Sequence, residues 1–314
     1  MAVELINQIE ALWDEQKRDW PMMAKGAEFL AQSETREVDH DGLRVRLQFN
    51  PGRVVNASAK VDPKSIAERP CFLCEKNRPA EQRGVDAGDG FVFLCNPMPI
   101  FSPHFTVPAL THQPQRITSC LPKLVSLSQA LSGRYTVFYN GPKCGASAPD
   151  HLHLQASPQG ATPFESNLIA NAEGFIEWSE TAHGISLGLT LDPNPTAIVA
   201  VGTDETAVLK QAEWLIAELA KRFPDEPEPM LNALSLHRDG KFHVALFPRT
   251  SHRPSNFGHG PSPKQVLVSP GLVDMLGLLI TPRREDYEQL TDEAVAKIYR
   301  EVSRDRRELA EIIR

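Results

Sequence analysis

Short segments of alternating apolar residues, separated by turn-forming residues, recur along this chain and constrain its fold most strongly. Alternation with period two is typical of strands that bury one face, and a spacing of three or four is typical of helices. The strands are predicted at residues 36–38, 43–49, 91–95, 105–107, 135–139, 197–201, 231–236 and 242–247, and the helices at 3–31, 121–131, 204–222 and 291–313. Asp-Gly pairs between neighbouring strand segments favour hairpins. The predicted fold class is therefore α+β, with mainly antiparallel sheets flanked by helices.

Size and charge exclude several classes of function. The chain has 314 residues, enough for two domains or for two halves of one repeated domain, and a formal net charge of −7. Acidic proteins are poor ligands for duplex nucleic acid, whose binding depends on Lys and Arg at the phosphates, although a local pocket can still hold a small anion. No apolar run approaches the roughly 18 residues of a membrane span. The five cysteines do not form a disulfide pattern, so a cytoplasmic protein is expected.

The segment from Asn140 to Gln155 carries the most chemical information. If it ends in a strand, His151, His153 and Gln155 share one face, while the leucines between them face the core. The polar loop before it offers backbone amides and the Ser147 hydroxyl to a phosphate, and a neutral imidazole is a nucleophile. Two alternatives remain open on the residues alone: the histidines lie on a solvated strand face, or His-x-His is a purely metallic site.

Cys71 and Cys74 form one C-x-x-C pair between polar, proline-containing segments, which favours a knuckle loop. Two thiolates leave a tetrahedral Zn²⁺ short of two ligands, and His104 and His151 are the candidates to complete the set. The alternative is a metal-free site with two buried cysteines, since free cysteine often packs like a small apolar residue.

The run His151-Leu152-His153-Leu154-Gln155 resembles the His-x-His-x-Gln motif of the histidine-triad superfamily. It is most similar to the nucleotidyltransferase branch, which contains galactose-1-phosphate uridylyltransferases, diadenosine tetraphosphate phosphorylases and GDP-hexose phosphorylases. Asn140 and Gly145 match the loop of that branch, and Phe247-Pro248-Arg249 resembles its Pro-Arg segment. One departure is Asp150, an extra residue between the loop and the motif.

The resemblance implies two histidine-triad-like halves, residues 1–160 with the zinc knuckle and the His-x-His-x-Gln site, and residues 161–314. It implies that His153 attacks an α-phosphorus, that Gln155 holds a phosphoryl oxygen and that Ser147 supports the same group. A structural zinc would be bound by Cys71, Cys74, His104 and His151. Asn140, Gly145, Lys143 and Arg249 are the expected substrate-binding residues, with Gln115 as a further candidate for substrate contact. Three of them have a surface alternative: a solvated side chain for Lys143, a salt-bridged surface cluster for Arg249 and a surface turn for Gln115.

The function implied by these features is transfer of a nucleoside monophosphate through a nucleotidyl-His153 intermediate. A nucleotide sugar or a dinucleoside polyphosphate would be the donor, and phosphate or a sugar 1-phosphate the acceptor. Neither a nucleic acid nor a membrane is expected as a partner, and a homodimer is an open expectation. Two other functions stay open: a histidine-triad hydrolase, although Gln155 replaces the third histidine of that group, and a non-catalytic, zinc-stabilised nucleotide-binding module.

Overall fold

A computed structural model describes residues 2–59, 61–179, 184–224 and 226–313. The strands are β1 Glu34–His40, β2 Leu43–Phe49, β3 Gly84–Gly88, β4 Phe91–Cys95, β5 Phe105–Pro108, β6 Tyr135–Asn140, β7 His153–Pro158, β8 Ile176–Ser179, β9 Ser186–Thr190, β10 Ile198–Gly202, β11 Leu231–Arg238, β12 Lys241–Pro248 and β13 Leu278–Thr281. The helices are α1 Ala2–Asp19, α2 Pro21–Ala31, α3 Val54–Ala57, α4 Pro63–Glu68, α5 Leu121–Ala130, α6 Pro163–Ile169, α7 Glu205–Arg222, α8 Leu272–Met275, α9 Arg284–Gln289, α10 Asp292–Val302 and α11 Arg306–Ile313.

Most of the strands join one large antiparallel sheet, whose order is β3-β4-β5-β7-β6-β11-β12-β10-β9-β8 within the described residues. A smaller sheet, β1-β2-β13, lies apart from it, and β13 pairs with β2 in the parallel direction. The predicted fold class is confirmed, because antiparallel sheets flanked by helices account for the architecture.

The large sheet separates two apolar cores, because successive side chains on each strand point to opposite faces. On β12, Phe242, Val244 and Leu246 enter the first core, while Ala245 and Phe247 enter the second. Helices α1, α5 and α7 cover the first face, and the small sheet with α8 and α10 lies over the second. On β7, Leu154 belongs to the first core, so its polar neighbours face the side of the small sheet.

Two hairpin turns form at the Asp-Gly pairs predicted from the sequence. Asp41 and Gly42 have φ of 51° and 88°, and Asp239 and Gly240 have φ of 50° and 74°. Positive φ at both central residues is the geometry that joins twisted antiparallel strands through two residues. The β1–β2 and β11–β12 hairpins are therefore confirmed.

Each of the two terminal helical segments is divided into two helices. The interruption at Pro21 is expected from the sequence, because proline has no amide hydrogen for the helix that precedes it, and Pro21 starts α2. Near the other end, Ser303 leaves the helix to form a bridge with Arg249, which separates α10 from α11. Tertiary pairing of this kind leaves no periodic signal in the sequence.

The two halves proposed at residues 1–160 and 161–314 stay a prediction. Residues 84–158 supply five neighbouring strands of the large sheet and residues 176–248 supply the other five, which meet where β6 pairs with β11. The small sheet crosses this division, since β1 and β2 come from one side of it and β13 from the other.

Among the described helices, none combines the length and the apolar character that crossing a bilayer requires.

Candidate active site and metal cluster

A cavity of about 410 Å³ lies where strand β7 begins, on the face of the large sheet that carries the small sheet. This volume is within the range of small-molecule pockets. We call it the central cavity. Residues of β5, β6 and β7 contribute to its lining, together with residues from the segments 53–61, 145–147, 252–253 and 269–274. Five residues predicted for catalysis or substrate binding lie on it: His153, Gln155, Ser147, Asn140 and Gly145.

His153 is the first residue of β7, and its side chain is buried. Its Nδ1 lies 2.8 Å from the backbone oxygen of His151, so Nδ1 carries the proton and donates it to that carbonyl. Burial lowers the pKa of the His153 imidazole to about 4. The ring is therefore neutral near pH 7, and its Nε2 keeps a lone pair available to an electrophile in the cavity.

Gln115 fixes the backbone of the nucleophile. Its Oε1 accepts a hydrogen bond from the His153 amide at 2.8 Å, and its Nε2 donates to the His153 and Asn140 carbonyls at 3.0 and 2.9 Å. Gln115 is fully buried. It therefore ties the start of β7 to the end of β6 and is not among the residues that line the cavity, so the predicted substrate contact is wrong.

Asn140 presents a defined side of its amide to the cavity. Its Oδ1 accepts hydrogen bonds from the Leu272 backbone amide and from Asn232 Nδ2, both at 2.7 Å. Because a backbone amide can only donate, the atom facing Leu272 is the oxygen. The nitrogen Nδ2 is left as the donor available to a ligand.

Gly145 allows the loop after β6 to approach the segment around Gly271. Its φ of +93° is a conformation that side chains disfavour. A Cβ at this position would lie 2.4 Å from the Gly271 Cα atom. The glycine therefore brings two backbones together beside the half-buried Ser147, and all three residues line the cavity.

A cluster of four metal-ligating side chains lies directly before β7, and we call it the Cys2His2 cluster. It consists of Cys71, Cys74, His112 and His151, whose ligand atoms all lie within 4.8 Å of one another. His151 Nδ1 is 3.2 Å from Cys71 Sγ and 3.3 Å from His112 Nδ1, and His112 Nδ1 is 3.2 Å from Cys74 Sγ. This arrangement could bind a metal ion.

Hydrogen bonds prepare two groups of the cluster for that role. His151 Nε2 lies 2.7 Å from the Ala109 carbonyl and donates to it, which leaves Nδ1 without a proton. Burial works to raise the pKa of the Cys71 thiol, but two backbone amides, and His151 when its ring is protonated at both nitrogens, outweigh it and lower the pKa to about 6. A bare imidazole nitrogen and a thiolate are the forms that metals bind.

The fourth member of this cluster differs from the predicted ligand His104. Strands β5 and β7 pair with Pro108 opposite His153, so the chain leaving β5 runs beside the residues that precede His153 and brings His112 to His151. His104 comes before β5 and lies at the other end of that pairing. Its ring contacts Gln155 instead, with Nε2 3.0 Å from Oε1.

The predicted phosphate ligand Arg249 is a buried structural residue. All five of its N–H groups are used: Nε donates to the Val302 carbonyl, Nη1 to Asn232 Oδ1 and the Pro270 carbonyl, and Nη2 to the Ser251 and His252 carbonyls. Arg249 is 1% exposed and does not line the cavity. Its hydrogen bonds connect the loop at residues 251–252 to the segment around residue 270, and residues within or next to both segments line the cavity.

Lys143 also lies outside the central cavity, contrary to its predicted role. It is exposed and forms an ion pair with Glu226 on a separate, smaller surface pocket. The turn after Gly141 brings the Lys143 side chain to this smaller pocket and not to the central cavity, so the role predicted from its place in the loop is wrong.

Arg249 and Lys143 do not line the central cavity, but three other basic residues do: Arg53, His252 and Arg253. Arg53 Nη1 donates to the Met98 carbonyl at 2.6 Å. Arg253 is held by Ser269 Oγ at 2.9 Å and the Ala59 carbonyl at 3.1 Å. His252 and Arg253 are neighbours of the Pro-Arg segment noted in the sequence, and Arg53 ends the short turn that begins at Pro51.

Comparisons with known proteins agree with this architecture. Residues 12–158 match a family model described as a domain of unknown function, DUF4922. No curated protein matches the sequence significantly.

Solved structures of yeast Ap4A phosphorylase Apa2 match nearly the whole chain. The complex with Ap4A gives a TM-score of 0.60 at 18% identity, covering 93% of this chain and 97% of that one. The complex with AMP gives 0.56 at 18% identity, covering 90% and 96%. A third Apa2 structure gives 0.52 at 18% identity, covering 90% and 94%. This chain therefore shares its fold with Ap4A phosphorylase Apa2, and diadenosine tetraphosphate phosphorylases are among the proteins that the histidine motif resembles.

Proposed function

We propose that this protein is a nucleotidyltransferase that moves a nucleoside monophosphate from a dinucleoside polyphosphate or nucleotide sugar to phosphate or a sugar 1-phosphate. One observation supports this most directly. A buried, neutral imidazole lies on a nucleotide-sized cavity, with its Nδ1 proton committed to a backbone carbonyl. The free Nε2 is then the only nitrogen of that ring that can attack.

In the first step, His153 Nε2 attacks the α-phosphorus of the donor. An N–P bond forms, the bond from that phosphorus to the leaving phosphate oxygen breaks, and the leaving group departs with the electron pair. The ring gains positive charge, which the hydrogen bond from Nδ1 to the His151 carbonyl stabilises. In the second step, an oxygen of the acceptor attacks the same phosphorus, the N–P bond breaks and the neutral ring returns.

Donors at the cavity wall suit the charge on the transferred phosphoryl group. Gln155, Ser147 and Asn140 offer neutral donors close to His153. Arg53 and Arg253 supply positive charge for the remaining phosphates, because guanidinium groups bind oxyanions strongly. In this proposal they take the role predicted for Arg249 and Lys143.

An apolar part of the lining suits the base of a nucleotide. It consists of Trp20, Met22, Val61, Phe72, Leu73, Pro79 and Met98. Aromatic and aliphatic faces bind planar rings with little regard to their hydrogen-bonding edges. The lining is therefore compatible with several bases.

We also propose that the Cys2His2 cluster binds zinc. With Zn–S near 2.3 Å and Zn–N near 2.0–2.1 Å, tetrahedral ligands should lie about 3.3–3.8 Å apart. Four pairs of ligand atoms in the cluster lie 3.2, 3.2, 3.3 and 3.6 Å apart, two of them within that range and two about 0.1 Å below it. The bound ion would supply structural rigidity, because the His151 side chain belongs to the cluster while its carbonyl orients His153.

The proposed function is tested with the purified protein and α-³²P-labelled substrates. Ap4A, GDP-hexoses and UDP-hexoses are incubated without and with phosphate. We expect an acid-labile label on the wild-type chain, none on His153→Ala, and release of the label as a nucleoside diphosphate only when phosphate is added. His243→Ala is a matched control, since His243 is a half-buried histidine of β12 that does not line the cavity.

Three outcomes discriminate among the candidate functions. Turnover without any acceptor supports the histidine-triad hydrolase. Nucleotide binding with neither label nor turnover supports the regulatory module. Equal labelling of wild type and His153→Ala excludes His153 as the nucleophile.

A further inference from the structure

We infer that His104 is a positioning residue, which fixes the orientation of the Gln155 carboxamide so that its nitrogen, and not its oxygen, faces the transferred phosphoryl group. This inference rests on the proposed function for its chemical meaning. Its structural basis is a chain of hydrogen bonds that runs from the Ile100 backbone through His104 to Gln155.

The first bond of this chain fixes the tautomer of His104. The Ile100 amide donates to Nδ1 at 3.2 Å, so Nδ1 has no proton. In a neutral imidazole the proton must then be on Nε2. Nε2 lies 3.0 Å from Gln155 and can only donate to it, which identifies the contacting atom as the carboxamide oxygen Oε1.

The second bond determines what Gln155 presents to the cavity. With Oε1 occupied by His104, the amide nitrogen Nε2 is the polar group left to a ligand, and it has no hydrogen-bond partner among the described residues. Phosphoryl oxygens only accept hydrogen bonds, so an amide turned the other way would place an oxygen against them. The orientation therefore decides whether Gln155 attracts or repels the substrate.

The surroundings of His104 keep the ring in place. The residue is fully buried, and its ring stacks on Phe138 with centroids 6.2 Å apart and an interplanar angle of 27°. Its own carbonyl accepts a hydrogen bond from the Asn96 amide at 2.9 Å. Burial, together with the nearby Arg53, lowers the pKa of His104 to about 3, so the neutral form that accepts from Ile100 persists at working pH.

The inference is tested with His104→Met, His104→Gln, Gln155→Ala and the double variant His104→Met/Gln155→Ala. Methionine fills similar space without a donor, whereas the amide nitrogen of glutamine can take the place of imidazole Nε2. The first measurement is the single-turnover rate of nucleotidyl-enzyme formation. The second is the calorimetric Kd for whichever of AMP, GMP, UMP or CMP binds tightest, and thermal melting checks that each variant is folded.

We expect His104→Met to slow nucleotidyl-enzyme formation about 10- to 100-fold, the usual cost of losing a group that orients an active-site ligand. His104→Gln should stay within about threefold of wild type, which is a small cost on that scale. In the Gln155→Ala background, His104→Met should cost less than about twofold, because there is no amide left to orient.

Two results would overturn the inference. The first is that His104→Met slows nucleotidyl-enzyme formation by the same factor in the wild-type and Gln155→Ala backgrounds. The second is that His104→Gln slows nucleotidyl-enzyme formation as much as His104→Met does. If the wild-type chain forms no nucleotidyl-enzyme, the proposed function fails. The positioning role is then judged on the Kd values alone, which must show the same coupling between residues 104 and 155.

Discussion

Replacing Arg249 with methionine discriminates between two roles for this residue. The sequence indicated a phosphate ligand, whose loss should weaken substrate binding and leave the folded state intact. The structure gives it five hydrogen bonds, three of them buried and two half-buried, and no surface on the cavity. Arg249→Met should therefore lower the free energy of unfolding.

The size of the effect follows from those five bonds. An unpartnered buried acceptor costs about 1–3 kcal/mol. Four backbone carbonyls and one carboxamide oxygen lose the Arg249 donor in this variant, and of these the Val302 carbonyl keeps the Thr250 amide at 3.1 Å. Some of these groups will gain water, and the cost of burying the guanidinium is recovered, so we expect a net loss of about 3–5 kcal/mol, as for other broken buried charge contacts.

The assay is urea unfolding followed by the fluorescence of the tryptophans, two of which, Trp13 and Trp20, are buried. Arg253→Met is the matched control, because Arg253 lines the cavity and makes two hydrogen bonds to oxygens of the described residues. Its free energy of unfolding should lie within about 1 kcal/mol of the wild-type value, and it should bind substrate more weakly than wild type. Arg249→Lys should fall between wild type and Arg249→Met in stability. If Arg249→Met unfolds like wild type and loses only phosphate affinity, the structural role is wrong.

Three further predictions concern the metal, the pH profile and the loop. Atomic emission should find one zinc per chain in wild type and in His104→Met, but not in Cys71→Ser or His112→Ala. If His112→Ala retains its zinc, the proposed role of the Cys2His2 cluster as the zinc site is wrong. Because burial lowers the pKa of His153 to about 4, the rate of nucleotidyl-enzyme formation should stay constant from pH 8 to about pH 5 and fall below it. A decline centred near 6.5, the ordinary value for histidine, would mean that the ring is solvated. Lys143→Ala should keep kcat/KM within about twofold, as expected of a surface ion pair, and a tenfold loss would place Lys143 in the site.

Local sequence patterns predicted those parts of the fold that are decided locally. The hairpins at Asp41-Gly42 and Asp239-Gly240 follow from positive φ, and the face shared by His153 and Gln155 follows from the period of a strand. The parallel pairing of β13 with β2 joins segments more than 200 residues apart, so no local pattern could show it.

Two of the corrected assignments, those of His104 and Arg249, have the same physical origin. His104 and His112 flank one short strand, and only the pairing of Pro108 with His153 decides which of them meets His151. Arg249 directly follows β12, and only its buried hydrogen bonds show that its donors are already used. Pairing register and burial are properties of the folded chain, which residue types and spacing do not specify.

Each polar residue on the active face of β7 and the segment before it is held by a different part of the chain. The His151 side chain belongs to a cluster with Cys71, Cys74 and His112, the His153 ring is oriented by the His151 carbonyl, and the Gln155 amide is oriented by His104. A strand by itself gives these side chains a common face but leaves their rotamers and tautomers open. Because each outside contact fixes one such choice, loss of the metal cluster should first disturb His153, through the carbonyl of residue 151, and leave the Gln155 amide in place. Metal removal by a chelator should therefore abolish nucleotidyl-enzyme formation while nucleotide affinity changes little, and a loss of both together would show that the cluster supports the whole cavity.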